Sequence, residues 1–186
     1  KFRAVNVGRT SVTVSAGGKT QTHSIVVLPP LNNIALNKPV YVSSEENGGT
    51  VRRHLNDGDY STRWGSQHSD PQWAYIDLQD EYLLNEIKLF WEAAYSSQYR
   101  VEVSNDGQTW TTIYTETSGS GGVISIPIDG VGRYIRVYGT ARGTQYGHSL
   151  YELEAYGVLT DPTPVLSGID IQPMPNVLKQ GTTQQF

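Results

Sequence analysis

The chain has 186 residues, a formal net charge of −4, 19 Gly, 9 Pro, 12 Tyr, 4 Trp and no Cys, with 37% hydrophobic residues. Length allows one ordinary domain or one domain with flanking pieces, and a turn-rich, β-branched composition points to an all-β core. The acidic balance argues against nucleic acid and anionic lipid as partners, the missing cysteines exclude disulfides and thiolate metal sites, and no run of about 18 apolar residues could cross a membrane.

In chain order, Ser11-Val12-Thr13-Val14-Ser15 alternates apolar and polar, Ala16-Gly17-Gly18-Lys19 reads as a turn, and Thr20 to Val27 returns. This is a hairpin, which Pro29-Pro30 should end. Two strands bury too little for independent stability, so the expectation for 1–30 is the last strands of a domain that starts earlier. There is no charged-then-apolar leader within the segment, and any export signal is expected outside it.

From Asn33 onward short apolar runs recur at intervals of about 8 to 12 residues, parted by Gly, Asn, Asp and Ser. That spacing predicts a sandwich or barrel. The expected strands are Ala74–Leu78, Glu86–Trp91, Tyr99–Ser104, Thr109–Tyr114, Gly122–Ile128, Tyr134–Gly139 and Leu150–Gly157. Asn105-Asp106-Gly107 should turn the third into the fourth. Beyond this block, Leu159-Thr160-Asp161-Pro162-Thr163-Pro164 suits a stiff linker over 159–166. Gly168-Ile169-Asp170-Ile171 and Val177-Leu178-Lys179-Gln180-Gly181-Thr182 then suggest strands within 167–186. Both flanks, 1–30 and 167–186, resemble parts of bacterial Ig-like (group 2) repeats.

Three motifs carry chemistry on their own. Asp57, Asp59 and Thr62 place oxygens in one short turn that Gly58 lets curl, as a polar turn or a hard-cation loop would. Trp64, Trp73 and Trp110 lie on or beside strands and are read as core. Sugar recognition needs polar groups for hydroxyls or an amine plus a flat face for the C–H side, and the loops offer Glu45, Glu46, Arg63, His68, Glu92, Tyr95, Arg142 and Tyr146. Glu92 stands out because it ends the apolar run Ile87-Lys88-Leu89-Phe90-Trp91.

The ordered set Asn33-Ile34-Ala35-Leu36-Asn37-Lys38-Pro39, Asp57 to Trp64, Pro71 to Leu78, Ser104 to Trp110, Arg133 to Val137 and Tyr151 to Glu154 resembles the discoidin, or coagulation factor 5/8 type C, superfamily. Within it the likeness is greatest to family 32 of the carbohydrate-binding modules. The resemblance implies a discoidin-type jelly-roll β-sandwich over 31–158, with partial Ig-like β segments at both ends and ligand held by loops at one end. It further implies a structural Ca²⁺ held by the His54 and Asp59 carbonyls, the Asp57 carboxylate, Thr62, the Tyr151 carbonyl and the Glu152 carboxylate. Two carboxylates and one arginine resemble the set of members that bind chitosan or β-glucan. The expected function is a non-catalytic module binding a polysaccharide or oligosaccharide, in a secreted, extracellular bacterial glycoside hydrolase whose catalytic and Ig-like domains share the chain.

The residues also bear on two other classes. Glu46 and Glu92 could pose as the carboxylate pair of a glycoside hydrolase, but one carboxyl must then stay protonated, which a neighbouring arginine opposes. Gly-x-Ser-x-Gly is absent apart from the low-complexity Ser118-Gly119-Ser120-Gly121, which no helix follows. The remaining alternative is a discoidin-type adhesion domain for glycoprotein or phospholipid. Glu, Arg, His and Tyr in the loops, with few large aliphatics, favour a sugar and argue against a membrane.

Overall fold

The computed structural model describes residues 2–3, 8–27, 32–160 and 170–171, and the chain divides into two units, 30–161 and the two flanks 1–29 with 162–186. Among the described residues the strands are β1 (Phe2–Arg3), β2 (Gly8–Ala16), β3 (Lys19–Val27), β4 (Val40–Val42), β5 (Trp64–Gly65), β6 (Gln72–Trp91), β7 (Ser96–Ser104), β8 (Thr111–Glu116), β9 (Val123–Arg142), β10 (Ser149–Leu159) and β11 (Asp170–Ile171). One 3₁₀ turn, Arg52–Leu55, follows β4.

In the flanking unit β2 and β3 pair antiparallel without a slip, from Gly8 opposite Val27 to Ala16 opposite Lys19. Gly17 and Gly18 both take positive φ, 57° and 75°, the backbone that a two-residue hairpin turn requires. β1 pairs with β11. Pro29-Pro30, the linker beyond Thr160 and the rest of the C-terminal fragment lie outside the described residues.

In the unit 30–161 the strands run β5-β10-β6-β9-β7-β8, with β4 also on β6, and every pairing is antiparallel. Sequence pattern alone divides β6 and β9 into two strands each; both are continuous over 20 residues. The break it detects is a bend. Pairing of β6 with β9 slips between Asp77 and Tyr82, where Gln79 adopts φ 74°, and again between Leu84 and Glu86. The second slip shifts the inward side chains from Ala74, Ile76, Leu78 and Leu84 to Ile87, Leu89 and Trp91, reversing their parity. Both halves of the bent sheet thus turn apolar faces inward, and these close on one core with Leu55, Trp64, Tyr99, Val101, Ile126, Ile135, Val137, Leu150 and Leu153. Folding the sheet over its own core makes the β-sandwich.

The tryptophan expectation needs correction. Trp64 is buried at 2% exposure and donates Nε1–H to the Ser44 carbonyl at 3.0 Å. Trp73 and Trp110 are only half-buried, on the outer face of the sheet. There Trp73 stacks on Tyr75 at 5.5 Å, Tyr75 on Tyr41 at 4.9 Å, and the Arg136 guanidinium sits 4.0 Å over Trp110. Trp73 occupies the outward parity of β6, which composition does not reveal. The second core tryptophan is Trp91, 5% exposed against Tyr99.

Candidate functional site

At one end of the sandwich the loops after β4, β5, β6 and β9 enclose a cleft of about 350 Å³ lined by Glu46, Arg63, Glu92, Tyr146, His148 and Ser149 among others. Arg63 leaves the turn before β5 and bonds Ser149 Oγ at 2.7 Å, while its other nitrogen lies 3.8 Å from Glu46. Glu46 also takes His68 Nε2 at 3.1 Å, and the His68 ring meets Tyr146 edge-on at 5.8 Å. Glu92 is held by the backbone: its N–H donates to the Ser149 carbonyl at 3.0 Å and its Oε2 accepts Ala94 N–H at 2.8 Å. Among the described residues no cation pairs with the Glu92 carboxylate. With Glu46 and Glu92 against Arg63, the cleft carries an excess negative charge.

Five of the eight residues expected to meet sugar converge here: Glu46, Arg63, Glu92 and Tyr146 on the wall, and His68 behind Glu46. The other three brace the walls. Glu45 accepts Arg52 N–H at 2.8 Å. Tyr95 is half-buried, its ring so close to Gly121 and Gly143 that an added Cβ would lie 2.9 and 2.2 Å from it. Arg142 donates Nε–H to Asp70 at 3.1 Å and Nη1–H to the Gln145 and Tyr146 carbonyls at 3.3 and 3.4 Å, shaping the loop that carries Tyr146.

Sequence reading missed His148. Its ring is 2% exposed, with Nδ1 on Ser96 Oγ at 2.6 Å and Nε2 on Asp70 Oδ1 at 2.8 Å. Because a carboxylate only accepts, Nε2 carries the proton and Ser96 donates to Nδ1. The three residues, two from loops and Ser96 from the start of β7, imitate a catalytic triad in composition. Ser96 Oγ, however, sits in a residue 1% exposed, sealed from any substrate carbonyl, so the chain of bonds serves to lock the loops. Nothing in local sequence pattern links positions 70, 96 and 148; only the fold does.

Burial pushes the His148 imidazole below its ordinary value of 6.5, against the opposing pull of Asp70. The ring therefore stays neutral in the folded state while the unfolded chain takes up a proton first. Its contribution is complete above pH 6.5 and fades as pH falls through the depressed folded value. Wild type should lose melting temperature between pH 7 and pH 5 more steeply than His148→Gln; parallel curves would remove His148 from that loss.

In the turn 57–62, Asp57 Oδ2 and the Asp59 carbonyl both accept Thr62 Oγ1–H at 3.0 Å. Glu152, fully buried on β10, accepts Gly58 N–H at 3.0 Å with Oε1, while its Oε2 has no partner. Burial, reinforced by the adjoining Asp57 carboxylate, pushes the Glu152 carboxyl up to about 7. A buried carboxylate with one oxygen orphaned, beside a second carboxylate, fits a hard cation. No group of three or more His, Cys, Asp and Glu side chains gathers among the described residues, so such a site would draw on backbone and hydroxyl oxygens. His54 and Tyr151 adjoin the turn and the β10 carboxylate in sequence.

The F5/8 type C domain family matches residues 39–153. Chitosan-binding module 1 of a chitosanase/glucanase from Paenibacillus sp. IK-5 is 46% identical, covering 68% of this chain and 99% of that one with a TM-score of 0.66. Module 2 of the same enzyme, solved with chitotriose, is 41% identical over 67% of this chain and 100% of its own, TM-score 0.66. CpGH89CBM32-6 of Clostridium perfringens is 25% identical over 68% and 99%, TM-score 0.58. Among curated proteins, the polysaccharide lyase 8 family protein HylA of Enterococcus faecalis is 38% identical over 66 residues, which span 36% of this chain and only 5% of that protein.

Proposed function

Because this chain belongs to the F5/8 type C domain family, we propose that its loop-end cleft binds a β-linked polysaccharide of the chitosan type, the amine of a glucosamine unit being held by Glu92. The module is carbohydrate-binding and non-catalytic. The observation that carries the amine reading is the Glu92 carboxylate, fixed by Ala94 N–H and facing the cleft without a cation of its own. A protonated amine would supply the missing charge, with Arg63 and Glu46 taking ring hydroxyls and the ring of Tyr146 the apolar face. Carboxylates at this lip disfavour an anionic lipid surface. Affinity electrophoresis through gels containing chitosan, laminarin or no polymer tests it: retardation by chitosan is expected, and equal mobility in all three gels would contradict it.

The turn at 57–62 and Glu152 are read as a calcium site, with Asp57 and Glu152 as carboxylate ligands and Thr62 and the carbonyls of His54, Asp59 and Tyr151 as neutral ones. Bound calcium would relieve the repulsion between the two carboxylates and tie β10 to the turn preceding Arg63. At calcium ten times its dissociation constant the gain is about 1.4 kcal/mol. Melting temperature should therefore rise by roughly 5 °C on adding calcium after chelation. Glu152→Gln should lose that response, and an unchanged wild-type curve would count against the site.

The flanks are assigned as partial Ig-like repeats, and the parent as a secreted bacterial glycoside hydrolase. Tethering would raise the effective concentration of a catalytic domain on insoluble substrate, so modest affinity at the cleft would suffice.

A further inference from the structure

Residues 32–160 contain nine Lys and Arg side chains, and six of them, Arg63, Lys88, Arg100, Arg133, Arg136 and Arg142, each lie within 4 Å of a carboxylate. The three that do not, Lys38, Arg52 and Arg53, line one pocket of about 280 Å³ beside β4, with Asn37, Asn56 and Val40. No Asp or Glu contributes to its lining. In a chain of net charge −4, leaving every uncompensated cation of the sandwich on one concave surface costs mutual repulsion that a bound anion would remove.

The frame under these cations is fixed. Asn56, 2% exposed, donates its amide to the Ala35 and Lys38 carbonyls at 2.6 and 3.0 Å. Arg52 N–H is anchored by Glu45 at 2.8 Å, which leaves its guanidinium free for the pocket, and Lys38 Nζ reaches only the neutral Gln79 Oε1 at 2.9 Å. Lys38 also lowers the Asp77 carboxyl, but Asp77 is already gripped through two bonds by Arg133, at 2.8 and 2.9 Å. None of the pocket residues lines the loop-end cleft.

We propose that this pocket is a second, separate site that binds the oxyanion groups of an acidic polysaccharide, with Arg52 and Arg53 forking onto a carboxylate or phosphate and Lys38 adding a point charge. An open surface that carries three cations beside Pro39 and Val40 suits a polymer that presents many such groups, engaged weakly and repeatedly.

The test is affinity electrophoresis of the full chain through gels containing polygalacturonate, a phosphorylated starch or neutral hydroxyethylcellulose. Three proteins are compared: wild type, Arg52→Ser/Arg53→Ser, and the charge-matched control Lys19→Ser/Lys88→Ser. Wild type and control should be retarded by at least one of the two acidic polymers, and which one distinguishes carboxylate from phosphate. The arginine variant should bind about tenfold more weakly or worse. Retardation should vanish in 1 M NaCl, where the screening length is about 3 Å. Wild-type mobility equal in all gels, or equal losses in the two variants, would overturn the site. Retention of chitosan binding by Arg52→Ser/Arg53→Ser keeps this outcome apart from any failure of the loop-end cleft.

Discussion

Glu92→Gln is expected to weaken binding of a chitosan tetramer by about tenfold to a hundredfold, since a charged hydrogen bond contributes roughly 1.5–3 kcal/mol and each 1.4 kcal/mol is a factor of ten. The substitution keeps the size of the side chain and one carbonyl to accept Ala94 N–H, so the β6 terminus should hold its shape and the melting temperature its value. What disappears is the charge that an ammonium group would meet. The same variant should bind the fully acetylated oligomer as wild type does, because no amine is then present to be matched. Titration calorimetry with both oligomers reads this directly; an equal loss for both would mean that Glu92 shapes the cleft and does not sense the amine.

The second large effect concerns stability. An alanine at Gly147 would place Cβ 2.2 Å from the Ser66 carbonyl and 2.8 Å from Ser66 Oγ. Backbone cannot yield as a long side chain can, and Ser66 is itself tied to His148, donating N–H to its carbonyl at 2.9 Å and taking His148 N–H on Oγ at 2.8 Å. Gly147→Ala should cost about 3 kcal/mol, lowering the melting temperature by roughly 10 °C, and should spread the two loops that form the cleft. Gly48→Ala, where nothing stands within 4 Å of the added carbon, is the control expected to leave both stability and binding in place.

What was legible in the sequence follows from what local pattern can encode. Strand positions came through because alternation has a fixed period, and the Gly17-Gly18 turn because its backbone excludes most other residues. The unity of β6 and of β9 did not, since a bend reversing inward parity between Leu84 and Ile87 looks like a gap between strands. Trp73 and Trp110 were misplaced for a related reason: an aromatic residue signals apolar area but not which side of the sheet it occupies. In the cleft, Glu92 was detectable because a carboxylate terminates an apolar run. Ser96, Asp70 and His148 were not, being polar residues of two loops and a strand end that only the folded sandwich brings within hydrogen-bonding distance. The cationic pocket was hidden by the net charge, which averages over the whole chain, whereas within 32–160 the Lys and Arg side chains without an ion pair among the described residues all line one pocket.

The central claim is that saccharide binds at the loop end of the sandwich. A ¹⁵N-resolved NMR titration of the chain with chitosan tetramer tests it most directly, because every backbone amide reports at once. Saturable shifts concentrated at Glu46, Arg63, Glu92, Tyr146 and His148, with the Tyr41, Trp73 and Tyr75 face unmoved, are the predicted result. Shifts centred on that aromatic face, or none at saturating tetramer, would contradict the account.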